Sequence, residues 1–245
     1  MTDFSRTILT YWNELFTTGD VIRDDSSLSI TLNPALSRER RVMLLEIAGG
    51  QARAVLTPAL ARKAGLERGQ DMSVSGFRQR LMEAGVVLHG ADCVFYFPEL
   101  IDQRILTEPS TAPRRLTEHD HDAFAAFQSA ASEQDLEDAY VELDHWAVFG
   151  AFDQDRLASV ASIYPWDNAP IADLGVLTLP EFRGRGYART VVRSISQFAR
   201  DQGYEPQYRC QLDNAASIRL AGASGLMLFG KWDVISPDSP DCDAA

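Results

Sequence analysis

Thr178-Leu179-Pro180-Glu181-Phe182-Arg183-Gly184-Arg185-Gly186-Tyr187-Ala188 lies between two segments of different hydrophobic period. Before it, Ile171 to Thr178 is almost continuously apolar, which predicts a central strand buried on both faces. After it, Ala188, Val191, Val192, Ile195, Phe198 and Ala199 mark one face of a long helix that ends at Gly203. A strand, a glycine-bearing loop and a helix make an anion-binding layout. Small residues let a ligand approach the backbone, and the first N–H groups of the helix have no partner within it. Arg183, Arg185, Arg189 and Arg193 add positive charge. The residues alone leave two readings open: a phosphorylated ligand, or a glycine-rich turn beside a solvated basic helix face.

The spacing excludes the familiar nucleotide loops. No Gly-x-x-x-x-Gly-Lys-Ser/Thr occurs here, and Arg189 stands where a dinucleotide fingerprint needs its third glycine.

Working outward, Arg114 to Thr117 reads as a short strand entering a helix over about 120–131. A second helix is expected near 135–143. Two strands, 146–152 and 157–164, form a hairpin about Asp153-Gln154-Asp155-Arg156. Beyond the long helix come a strand over 208–212, a short helix capped by Asp213 or Asn214 and stopped by Gly225, and a strand over 226–235. The order is β-α-α-β-β-β-α-β-α-β.

The earlier residues are also α+β. An amphipathic helix is expected over 4–17, and a strand over 28–32. A hairpin turns on Ala48-Gly49-Gly50-Gln51, helices follow over 58–65 and 75–85, and a strand spans 86–97, broken near Gly90. Glu108 to Pro113 is the expected domain boundary. The chain is therefore divided into an N-terminal α+β domain (1–110), a second domain (111–236) and a disordered tail (237–245).

Charge is unevenly spread. Residues 1–110 hold 12 basic and 14 acidic side chains, net −2, whereas 111–245 hold 11 and 21, net −10. That acidity argues against general nucleic-acid binding, which neutralises phosphates with cations; it leaves two readings open, steering of a cationic amine or solubility alone. No apolar run is long enough to cross a membrane, and the first residues lack the layout of a signal peptide, so a cytoplasmic protein without membrane contact is expected. Cys93, Cys210 and Cys242 are odd in number and far apart, which fits reduced thiols. No Cys/His spacing suits zinc, and no metal is expected. The sequence leaves room for a homodimer.

The segment from Thr178 to Ala188 resembles the acyl-CoA pyrophosphate motif of the GNAT N-acetyltransferase superfamily, Arg/Gln-x-x-Gly-x-Gly/Ala, through Arg183, Gly186 and Ala188. Asn214-Ala215-Ala216-Ser217, with Gly225-Leu226 beyond, is similar to that family's Asn-x-x-Ser…Gly-Phe segment. The resemblance covers roughly half the chain. It implies a GNAT-like mixed sheet flanked by helices, in a mixed α/β chain whose smaller N-terminal α+β part is either a degenerate half of the same fold or a substrate-gating domain. It implies acetyl-CoA as cosubstrate and a small-molecule or peptide amine as acceptor.

The resemblance also assigns residues. Val176, Leu177 and Thr178 would face the pantetheine and the thioester. The backbone of Arg183, Gly184, Arg185, Gly186, Tyr187 and Ala188 would hold the pyrophosphate. Asn214 and Ser217 would line the CoA arm. Asp173 is the first candidate for the base that deprotonates the amine, with Glu142, Asp144 and His145 behind it. Many members carry a Tyr four residues after the Ser, as acid for the departing thiolate. Here that position is Ala221, so a non-catalytic acyl-CoA-binding module is the alternative. Tyr187, Tyr208 and Cys210 are possible replacements.

Overall fold

The computed structural model describes residues 4–100 and 113–240. The chain divides into two compact bodies that interleave along the sequence. One comprises Met1–Ile8, Phe95–Arg209 and Asn214–Met227; the other comprises Leu9–Val94, Cys210–Asp213 and Leu228–Ala245. The expected connector lies almost wholly outside the described residues.

The second body is built on strands in the order β1-β2-β4-β3-β11. These are β1 (Asp20–Asp24), β2 (Leu28–Leu32), β3 (Val42–Ile47), β4 (Ala52–Leu56) and β11 (Met227–Val234). Strand β2 runs parallel to β4, and β3 runs antiparallel to both β4 and β11. The last strand of the sequence therefore pairs with an early one rather than staying with the second half. Helix α1 (Arg6–Thr17) contributes Trp12, whose ring stacks 5.6 Å from Phe229 and meets Trp232 edge-on at 5.7 Å. Helix α2 (Pro58–Lys63) starts where the Thr57 side chain accepts the Leu60 N–H, and α3 (Val74–Glu83) where Ser73 accepts the Gly76 N–H at 3.1 Å. Together they bury Leu60, Phe77 and Leu81 against Leu28, Ile30, Leu44 and Leu56.

Three local expectations change. Strand β1 escapes the sequence pattern because only Ile22 of its five residues is buried. The strand expected over 86–97 shrinks to β5 (Asp92–Tyr96), for the chain before it is held by single contacts, with Leu88 bridging Ile235 and the Gly90 N–H bonding the buried Asp233 carboxylate. The expected tail is held as far as Pro240. Arg41, buried to 4%, donates to the carbonyls of Ser239 and Pro240, and the Ser239 hydroxyl accepts the Val87 N–H. Residues 241–245 lie outside the described residues.

The first body carries strands in the order β10-β9-β8-β7-β6. They are β6 (Arg114–Arg115), β7 (Ala147–Asp153), β8 (Arg156–Trp166), β9 (Ile171–Thr178) and β10 (Glu205–Gln211). Its helices are α4 (His121–Ala130), α5 (Glu133–Ala139), α6 (Tyr187–Asp201) and α7 (Ala215–Ser224). This is the element order expected from sequence. Helix α4 packs on β8 and α5 on β9, with Phe124, Phe127, Val160 and Leu177 in one core. The buried stripe of α6, Val191, Val192, Ile195 and Ala199, packs on β7, β8 and β9. Strand β10 begins earlier than expected, at Glu205, because Pro206 sits at the strand's start where a missing N–H is tolerated.

Candidate active site

Strand β9 is paired unequally on its two edges. On one side it runs antiparallel to β8 along its whole length, from Trp166↔Ile171 to Ser159↔Thr178. On the other it pairs with parallel β10 only from Ile171 to Leu174. Beyond Leu174 the edge is open. The Leu179 N–H donates to the Ala158 carbonyl at 3.1 Å. Alternation along the ladder then turns Leu177 and Gly175 N–H groups to β8, and those of Val176 and Thr178 to the open edge.

Gly175 sets how closely helix α5 approaches this edge. A Cβ there would stand 1.9 Å from the Ala139 carbonyl oxygen, so only glycine admits the contact. Helix α5 then stops at Tyr140, which takes the left-handed conformation (φ 45°).

The loop after β9 turns on two glycines in the left-handed region, Gly184 (φ 77°) and Gly186 (φ 88°). Gly186 is the N-cap of α6, and no side chain caps that helix. Its first N–H groups are thus left for a ligand, and the helix dipole favours an anion there. Arg183 braces the loop. Its Nε donates to the Thr178 carbonyl at 3.1 Å and its terminal nitrogen pairs with Asp135 of α5 at 3.0 Å. Arg185 pairs with Asp153 at 3.4 Å and lies over the Phe182 ring. Arg193 is committed to the carbonyls of Ala223 and Ser224 at the end of α7.

All eleven residues assigned to the cofactor line one cleft of about 950 Å³: Val176, Leu177 and Thr178 from β9, Arg183 to Ala188 from the loop, and Asn214 and Ser217 from the start of α7. The Asn214 side chain accepts the Ser217 N–H at 3.0 Å, so it caps α7 while facing the cleft. Sequence reasoning missed Asp135 and Asp138, which also line the cleft; nothing in their local pattern tells them from other charges on an exposed helix.

Asp173 is elsewhere. It is 6% exposed and does not line the cleft. One oxygen accepts from Gln207 Nε2 (2.9 Å) and Arg209 Nε (3.0 Å), the other from the Tyr164 hydroxyl (3.2 Å) and an Arg209 terminal nitrogen (2.7 Å). Four donors occupy its two oxygens, two of them from one bidentate guanidinium. A carboxylate held this way is a structural tie, and the expectation of a base at Asp173 is withdrawn. The network continues from Gln207 to the Tyr96 hydroxyl, and Arg209 stacks 4.5 Å from the Trp166 ring centroid. Burial and the Asp173 charge push the Tyr164 phenol far above its ordinary range.

His145 stands on the same face. Its Nδ1 is 2.8 Å from the Ser162 hydroxyl, and its ring joins those of Tyr140 and Tyr164 in a cluster in which each ring touches the other two. Burial lowers its pKa, opposed by Asp144 and Glu142. Ala221 is fully buried. Of the substitutes for an acid, Tyr187 lines the cleft, Tyr208 is buried against Phe95, and burial raises the Cys210 thiol to about 12. Among the described residues no three His, Cys, Asp or Glu side chains gather as a metal site would require, and no helix is long and apolar enough to cross a membrane.

Residues 114–225 match the family model described as the acetyltransferase (GNAT) family. No curated protein matches the chain. An acetyltransferase of the GNAT family from Colwellia psychrerythraea shares the fold at 16% identity and a TM-score of 0.52, over 74% of this chain and 75% of that one. A GCN5-related N-acetyltransferase-like protein from Streptococcus suis aligns at 15% identity and a TM-score of 0.47, over 84% and 88%. A GCN5-related N-acetyltransferase from Kribbella flavida aligns at 15% and 0.47, over 66% and 64%.

Proposed function

We propose, from the GNAT acetyltransferase domain that spans residues 114–225, that this protein transfers an acetyl group from acetyl-CoA to an amine by direct attack. The observation that carries the reading is the open edge of β9 leading into an uncapped helix start. Both lie in one cleft. On this reading the Val176 and Thr178 N–H groups would bond the pantetheine and stabilise the oxyanion formed when the amine adds to the thioester. Such a preorganised donor contributes about 3 kcal/mol. The loop from Arg183 to Ala188 would take the pyrophosphate, and Asn214 and Ser217 the CoA arm. The acceptor is a small-molecule or peptide amine, for which the net −10 of the second half provides attraction, and the setting proposed is the cytoplasm.

Titration calorimetry with acetyl-CoA, followed by a thiol assay for CoA release across a panel of amines, tests this. Micromolar binding with release in the presence of at least one amine is expected. Binding without release would favour the second reading, an acyl-CoA-binding module. The buried alanine at position 221 speaks for that reading, since it supplies no proton to a departing thiolate. A thiol with a pKa of about 8.5 nevertheless leaves tolerably as its anion.

A further inference from the structure

We propose that His145 is the base that takes the proton from the attacking amine, which rests on the acetyl-transfer reading above. Asp173 is held in its ion pair; of the candidate bases, His145 is the one anchored on the face of the sheet beside the open edge of β9. Ser162, whose hydroxyl anchors the ring at 2.8 Å, stands directly opposite Gly175 in the β8–β9 register. Gly175 is the first residue past the end of β9–β10 pairing, and Val176 next to it is the first to line the cleft. Strand spacing puts the Ser162 and Val176 backbones about 6 Å apart. Ser162 and Gly175 share one face of the sheet, the face to which the end of α5 is applied. The ring thus lies on the face of the sheet that adjoins the first cleft residue; it is not itself one of the residues lining the cleft, and an acceptor bound on that face would lie between it and a thioester held along β9.

Nδ1 is engaged by the hydroxyl and Nε2 is left; Nε2 accepts a proton in the tautomer whose Nδ1–H donates to the Ser162 hydroxyl, which is the tautomer this proposal requires. Nε2 has no hydrogen-bond partner among the described residues and is not one of the buried unpartnered atoms. Groups packed on the ring come from every side: Tyr140 at the end of α5, Tyr164 on β8, and Glu142 and Asp144 in the preceding loop. The two tyrosines bury it, and this outweighs the two carboxylates, so the ring is neutral at pH 7 and able to accept. As the amine nitrogen bonds to the thioester carbon, its proton passes to Nε2. The C–S bond then breaks, the sulfur leaves with the electron pair, and the proton on Nε2 returns through solvent to the thiolate. The products are an N-acetyl amide and CoA.

The experiment compares the full-length wild type with H145Q, H145G and S162A. Acetyl-CoA affinity is read by calorimetry and CoA release with the amine panel by thiol assay. H145Q should bind acetyl-CoA within about threefold of wild type while kcat falls about 100-fold or more. The acid limb of the wild-type kcat profile, below pH 6.5, should vanish with the ring. Added imidazole should restore part of the H145G activity, which a packing role would not allow, and S162A should lose about tenfold in kcat. Full kcat in H145Q, or an acid limb that survives in it, would overturn the proposal and leave acetyl transfer standing. Absence of CoA release by the wild type with every amine would overturn both. If H145Q fails to fold, imidazole rescue of H145G decides, and no rescue counts against the proposal.

Discussion

Gly175 and Ala139 are in direct backbone contact: a Cβ on the glycine would lie 1.9 Å from the alanine carbonyl oxygen, and 3.3 Å from that of Tyr140. Neither obstacle is a flexible side-chain end. Gly175→Ala must push α5 off the sheet at the mouth of the cleft. A loss of about 3 kcal/mol is expected, read as a lowered midpoint in chemical denaturation, together with weaker acetyl-CoA binding in calorimetry. A G175A protein with wild-type stability and affinity would show that α5 yields freely there.

Asp173 and Arg209 should behave as a stability pair. Asp173→Ala strands a guanidinium that is 21% exposed, and removing one partner of a largely buried pair costs about 3 kcal/mol. The double variant D173A/R209A should be less destabilised than the sum of the singles. Under conditions where D173A remains folded, its kcat profile should keep the acid limb of the wild type, because the proposal places the proton acceptor at His145.

Asp135 and Arg183 form an ion pair at 3.0 Å beside the proposed phosphate site. Arg183→Ala removes a cation beside the loop and also the brace on the Thr178 carbonyl. Acetyl-CoA affinity should drop about tenfold, and its salt dependence should weaken. Asp135→Asn removes a carboxylate that competes with the anionic ligand for the same guanidinium, and should tighten binding a few-fold. Calorimetry at two salt concentrations checks both.

Asp120 provides an acid-sensitive tie in the turn before α4. Two bonds from Arg114, at 2.6 and 3.0 Å, and the Thr117 N–H hold its carboxyl at about 2. A carboxyl depressed in the folded state stabilises above its unfolded pKa of about 3.9 and loses that contribution as pH falls through the folded value. The stability difference between wild type and D120N should be constant from pH 5 upward and shrink steadily between about pH 4 and pH 2. Denaturation midpoints at pH 6, 4 and 2.5 would show it.

Arg41 ties the end of the chain to its body through two carbonyls. Truncation after Ile235 leaves this buried guanidinium short of acceptors and deprives the Val87 N–H of the Ser239 hydroxyl. A destabilisation of about 2–3 kcal/mol is expected, visible as a lower melting temperature, with acetyl-CoA affinity unchanged in the folded protein.

Much of this was written in local pattern. The run from Ile171 to Ala199 announces strand, loop and helix because period, glycine placement and apolar stripe agree; the residues assigned to the cofactor come from the resemblance that this run and the separate Asn214–Ser217 segment carry. Asp173 misled because its position in sequence gives no sign of its partners: Gln207 and Arg209 arrive from a strand more than thirty residues away, and only parallel pairing brings them to it. Strand β1, with four of its five residues not fully buried, offers no alternation to read. The place of β11 beside β3 is a matter of long-range pairing, which neither segment encodes alone. His145 was visible only as one of three polar neighbours; what singles it out is the hydroxyl of Ser162, seventeen residues on.

An opening in a sheet made by two strands parting has a consequence for how such a chain can change over time. On the proposed reading, recognition along the free edge of β9 would rely on main-chain groups that every residue but proline possesses. Constraint there would fall on shape, at Gly175, Gly184 and Gly186, more than on the side chains between them. Such a cleft could keep its chemistry while its amino acids changed, and the strand that did the most for the ligand could be among the least distinctive stretches of the sequence.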